Sequence, residues 1–84
     1  MEEQIGVVQD YFAKIGVAAI ELTAGRLAVG DKLHFKGHTS DFEQVIASMQ
    51  IEHQNVETAK TGDSIGVKVD ERARKGDLVF KVTE

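Results

Sequence analysis

Few side chains in this 84-residue chain have the type and spacing for chemistry. A zinc-like ion would need the three imidazoles, His34, His38 and His53, to converge, yet none is spaced with another at i+3 or i+4 on a predicted helix. No metal site is expected. Nothing marks Ser40, Ser48 or Ser64 as a serine activated by a neighbouring base. Asp41 and Glu43 have the look of a general acid–base pair, but on a turn leading into a strand they read as solvated carboxylates. Catalysis is therefore not expected, and no cofactor is implied. The remaining chemistry is cationic. Arg72, Arg74 and Lys75 lie in the charged segment from Asp70 to Asp77, whose functional reading is a contact with phosphate or an acidic partner. The alternative is a solvated connection whose charges offset one another.

Such residues need a scaffold, and three Gly-Asp pairs supply its punctuation. Gly30-Asp31, Gly62-Asp63 and Gly76-Asp77 each precede an apolar run: Leu33 and Phe35, then Ile65, Val67 and Val69, then Leu78, Phe80 and Val82. Glycine reaches positive φ without a Cβ clash, and the adjacent aspartate can accept backbone amides, so each pair turns the chain and starts a strand. Ile5 to Phe12 and Val17 to Leu22 form a hairpin across Ala13 to Gly16. The alternation Lys32 to Lys36 directs Leu33 and Phe35 inward and leaves Lys32, His34 and Lys36 outside. One stretch is ambiguous. Phe42, Val45, Ile46 and Met49 carry helical spacing with Asp41 as a possible cap, while Gln50 to His53 continue a pattern that a strand also fits. Asn55 to Thr61 reads as a connection, Ser64 to Val69 and Leu78 to Val82 as strands. The expected architecture is all-β, a small closed antiparallel barrel formed by one domain over residues 1–84, with its core between about 5 and 82.

Composition narrows the function classes. A chain of this size buries roughly 63% of its unfolded surface, so the core is modest. It has no cysteine, which removes disulfides, thiolate ligands and a thiol nucleophile and suggests a reducing, cytoplasmic setting. No apolar run approaches the ~20 residues of a membrane span, and Met1-Glu2-Glu3-Gln4 is acidic where a signal peptide is basic. No membrane association is expected. A net charge of −4 argues against general coating of nucleic acid and leaves room only for a local basic contact. Tyr11, Phe12, Phe35, Phe42 and Phe80 are needed mostly for the core, so base-stacking platforms are scarce.

The order of elements carries a resemblance. Ser48 to Ile51, Val56-Glu57, Ala59, Gly62 to Val67 and Arg74 to Asp77, with Gly25-Arg26-Leu27 and Val29 to Leu33 upstream, resemble the second, β-barrel domain of the translational GTPases. The same pattern is similar to stand-alone translation elongation factor-like proteins and to the C-terminal barrel of collagenase-like peptidase-family proteins. On that resemblance Asp41 to Ile51 is a strand. The resemblance brings no GTP site, because the phosphate-binding loop of those factors lies in another domain and has no counterpart here. It sets Gln50 at the position of a glutamate that lies against the terminal adenosine of tRNA in elongation factor Tu. Glu52 and His53 replace an aromatic and an arginine there, and Glu52 would repel a phosphate. The function implied is a non-catalytic binding module with RNA or ribonucleoprotein of translation or tRNA modification as partner, and Gln50, His53, Lys60, Arg72, Arg74 and Lys75 as contacts. In the related barrels the loop of Lys60 and the Asp70 to Asp77 loop lie near one end of the strands, so the resemblance implies that Lys60, Arg72, Arg74 and Lys75 share one positive patch. The alternative is a protein-interaction subunit working beside a separate peptidase-like or RNA-modifying enzyme.

Overall fold

The three Gly-Asp pairs close reverse turns of one design. In Ala28 to Asp31, Lys60 to Asp63 and Arg74 to Asp77, the aspartate amide donates to the carbonyl of the first residue, at 3.0 Å in each case. The same aspartate's carboxylate accepts the first residue's amide, at 2.8, 3.0 and 2.9 Å. The glycine between them has φ between 94° and 99°, the region a type II turn requires at its third position. A Cβ on Gly62 would meet nothing within 4 Å, so the demand for glycine there is purely conformational.

The computed structural model describes residues 1–83. These form ten strands: β1 (Glu2–Phe12), β2 (Val17–Leu22), β3 (Arg26–Ala28), β4 (Lys32–Lys36), β5 (Asp41–Val45), β6 (Met49–Ile51), β7 (Gln54–Val56), β8 (Thr58–Lys60), β9 (Ser64–Lys68) and β10 (Leu78–Val82). Every pairing is antiparallel. Eight strands make one sheet in the order β5-β4-β10-β1-β2-β9-β6-β7, and β3 pairs with β8 as a separate ribbon. β1 is paired along both edges and bends at two bulges, near Gly6 and near Asp10. At the first of these only glycine fits, since a Cβ on Gly6 would lie 2.5 Å from the Glu21 carbonyl oxygen. No helix among the described residues is long and apolar enough to cross a membrane.

Alternation decides the core. On β4, Leu33 and Phe35 are fully buried while Lys32 and Lys36 are exposed, and Phe35 stacks on Phe42 of β5 with ring centroids 4.8 Å apart. Ile5, Ile20, Leu22, Leu27, Ile65 and Val79 join them from the other strands in a single apolar cluster. The helical spacing from Phe42 to Met49 is coincidental. Strand alternation buries Phe42 and Gln44 and exposes Val45, and the chain then breaks at residues 46–48 before β6. Ile46 is held in that break by backbone bonds with Gly30 and Asp31 of the first turn.

Two expectations need correction. The closed barrel is not delivered by backbone pairing, because β5 and β7 end the eight-stranded sheet without a ladder between them. A side chain bridges from β5 to the end of β9 instead: the Gln44 amide donates to the Lys68 carbonyl and its oxygen accepts the Asp70 amide, both at 2.8 Å. The second correction concerns Asn55 to Thr61, which is not a plain connection. It contains most of β7 and all of β8, and β8 pairs with β3 in the segment between Gly25 and Gly30. Three-residue strands are too short for alternation to reveal.

Two substitutions test this arrangement. Gly62→Val places a β-branched residue at φ 97° and is expected to cost about 1 kcal/mol or more, read as a fall of roughly 4–8 °C in thermal midpoint. An unchanged midpoint would mean that the turn is not held as described. Gln44→Leu keeps the bulk but removes both bridging hydrogen bonds, and an unfolding free energy lower by about 2 kcal/mol in denaturant titration is expected. Wild-type stability would show that the bridge contributes nothing.

Candidate functional site

The strands distribute the six contact residues expected from the sequence over three clefts. Gln50 and His53 lie with the β1–β2 turn, where Phe12, Ile15 and Val17 form the apolar wall of a groove of about 250 Å³. Arg72, Arg74 and Lys75 share a smaller cleft with Asp10 and Tyr11. Lys60 lines a cavity of about 540 Å³ together with Arg26 and Lys81. Lys60 and the Arg72 to Lys75 cations thus line different clefts among the described residues.

The groove around Gln50 and His53 has a feature that spacing does not show. β6 and β7 pair through Ile51 and Gln54, leaving Glu52 and His53 as a two-residue loop. Both have positive φ, 51° and 65°, as a type I′ hairpin turn demands. Asn-Gly or Asp-Gly is favoured there, so Glu52-His53 holds a conformation that costs energy at two positions. Gln50 braces the base of the tip by donating to the Asn55 side-chain oxygen at 3.0 Å. Beside the tip, Phe12 and Ile15 are 48% and 63% exposed, large apolar surfaces for a domain this small. Ser64 lies in the same groove as His53, yet no hydrogen bond joins them among the described residues. The arrangement suits contact with another surface more than bond breaking.

A second cluster escaped sequence reading because its members come from three strands. His34 on β4 bonds the Glu2 carboxylate of β1 through Nδ1 at 2.9 Å and Asp41 of β5 through Nε2. Its side chain is only 14% exposed and packs near Phe80, its cross-strand neighbour on β10. Alongside, Lys32 pairs with Glu43 at 2.9 Å. Glu2, His34 and Glu43 each bring one potential ligand atom within 4.8 Å of the others. Both His34 nitrogens are already engaged by carboxylates, so the cluster is built as an ion-pair clamp across β5, β4, β10 and β1. The Asp41 hydrogen bond, then that of Glu2, raises His34 above its usual value near 6.5. The His34 hydrogen bond lowers Asp41, and the Lys32 hydrogen bond lowers Glu43. Both directions favour the ionised form of the Asp41 and Glu43 carboxylates.

The clamp makes stability depend on pH with a definite sign. His34 binds its proton more tightly when folded, so its contribution is complete below about pH 6.5 and is lost as pH rises through the raised value. Asp41 and Glu43 act oppositely, contributing above their ordinary values and losing that contribution on acidification. The denaturant midpoint is expected to fall as pH rises above about 6.5, and His34→Gln should flatten that limb. A wild-type midpoint independent of pH over this range would rule the clamp out.

Comparison with known proteins gives these features a setting. No family model matches the chain. Its sequence is 42% identical to an uncharacterized protease of Methanocaldococcus jannaschii over 96% of this chain, and 33% identical to a collagenase of Porphyromonas gingivalis over 84%. The chain spans only about 20% of the length of either relative. In structure it matches the C-terminal domain of a Geobacillus thermoleovorans protein assigned to the U32 peptidases, with a TM-score of 0.88, 23% identity and coverage of 96% of this chain and 93% of that one. A selenomethionine variant of the same domain gives 0.85. Of the two families resembled in sequence, these matches speak for the peptidase-family C-terminal barrel: the chain is similar over nearly its whole length to one such domain, and to one fifth of larger proteins named protease and collagenase.

Proposed function

We propose that this chain is a non-catalytic accessory module that works beside a separate peptidase-like enzyme. The observation that carries this reading is the disparity in coverage. Nearly all of the chain aligns with about a fifth of a protein named as a protease, so it corresponds to one unit of such a protein and not to the whole. The chain's own chemistry agrees. Its one histidine–carboxylate cluster is consumed as a clamp, and Ser64 has no bonded base among the described residues. The surface assigned to docking is the groove of Phe12 and Ile15 with the Glu52–His53 tip, where exposed apolar area adjoins backbone strain. Gln50 and His53 supply its polar contacts. The pair would act in the cytoplasm, in keeping with a chain that carries no cysteine.

A ribonucleoprotein partner, the reading drawn from the translation-factor resemblance, asks for a continuous positive face. The cations are instead split between two clefts on a chain of charge −4. Affinity purification of the tagged chain from its own cells, after nuclease treatment, is expected to retain a peptidase-family protein identified by mass spectrometry. Phe12→Asp with Ile15→Asp should reduce that recovery at least about tenfold, the loss of roughly 1.4 kcal/mol of binding, while leaving the thermal midpoint within a few degrees. Recovery of RNA in place of the enzyme, or retention that ignores the double substitution, would contradict the proposal.

A further inference from the structure

The cavity of about 540 Å³ lies on the β3–β8 ribbon and shares no lining residue with the docking groove; Arg26, Lys60 and Lys81 line it with Asp31 and Asp63. Arg26 and Lys60 are direct cross-strand partners in the ribbon. Like charges placed directly opposite one another destabilise an antiparallel pair. The register cannot slip to relieve them, because the next pair, Leu27 and Ala59, is buried in the core and a one-residue shift would turn Leu27 out to solvent. Neither cationic side chain has an ion pair or hydrogen bond among the described residues.

The cavity's own acids do not relieve the pair. The Asp63 carboxylate accepts the Lys60 backbone amide in its turn, and the Asp31 carboxylate accepts the Ala28 amide and pairs with Lys81 at 3.5 Å. Lys81 is further tied to the Arg26 carbonyl at 3.2 Å. What remains open is a guanidinium fork and an ammonium facing one space, the donor set that a carboxylate or phosphate fits. At about 540 Å³ the space far exceeds an inorganic ion. Of its apolar lining, Leu27 and Ala59 turn their side chains into the core, so Ala28 alone offers a methyl group, and the lining has no aromatic ring on which a base would stack.

We propose that this cavity is a subsite for the C-terminal carboxylate of a peptide, with the unpartnered Arg26 and Lys60 side chains binding the carboxylate. The choice of a peptide rests on the accessory-module reading, since every peptide cut by a peptidase ends in a new carboxylate. The subsite then retains such an end on the module while the enzyme acts elsewhere.

The test uses the isolated chain and fluorescein-labelled Gly-Ala-Ala-Leu, as the free acid and as its C-terminal amide, followed by fluorescence anisotropy. The free acid is expected to bind at least about tenfold more tightly than the amide, the scale of a lost charge-assisted contact. Arg26→Gln with Lys60→Gln should abolish that preference without lowering the thermal midpoint, since it removes a repulsion. The control Lys14→Gln should leave it intact. Equal binding of acid and amide, no binding of either at millimolar peptide, or displacement by inorganic phosphate as effective as by acid peptide would each overturn the proposal. The assay needs no enzyme, so a failed enzyme capture with intact acid-selective binding counts against the accessory reading alone, and the converse against the subsite alone.

Discussion

The structure depends on a backbone constraint used three times: a glycine at positive φ, locked by an aspartate that closes the turn through both its amide and its carboxylate. Each lock starts the strand that follows it, β4, β9 or β10, and so fixes which residues of that strand face the core. Two of the locks also end the strands of the ribbon, after β3 and after β8. The opposition of Arg26 and Lys60 is thereby set by turn chemistry at both ends and by Leu27 in the core beneath. With the main chain carrying the turns, the aspartates are spent on structure. The cations near them are left for another partner.

A different economy operates around the rest of the sheet. The ladder runs from β5 to β7 without returning on itself, and the Gln44 amide makes the connection to the end of β9 that strand pairing does not. A buried amide with both ends satisfied specifies one arrangement of neighbouring elements more sharply than apolar contact would. The His34 clamp does similar work on the outer face by tying β1, β4 and β5 over β10. It leaves the groove at Phe12 and the Glu52–His53 tip as the region where apolar surface and backbone strain are not absorbed by the fold itself.

Legibility in the sequence followed length and locality. The long strands β1, β2, β4, β9 and β10 were readable because alternation repeats enough to be seen, and the Gly-Asp turns because their chemistry is local. β3, β7 and β8 were not, being three residues each and defined by partners far along the chain. The helical spacing of Phe42 to Met49 misled for the same reason, since strand pairing with β4 overrides a local period. Among site residues, Gln50 and His53 were placed by resemblance and share a groove, while Lys60, grouped with Arg72, Arg74 and Lys75 by the same resemblance, lines a different cleft. The ligands of His34 lie 32 and 7 residues away, and no spacing rule reaches across a sheet to find both.

The central claim is that this module meets a peptidase-like protein through the face that its own fold leaves unsatisfied. Hydrogen–deuterium exchange of the chain, free and in complex with that protein, tests it most directly. Protection gained at the Phe12 to Val17 turn and the Glu52–His53 tip, with the Arg72 to Lys75 loop unchanged, is the predicted result. Protection confined to the Arg72 to Lys75 loop, with the tip exchanging as in the free chain, would contradict it.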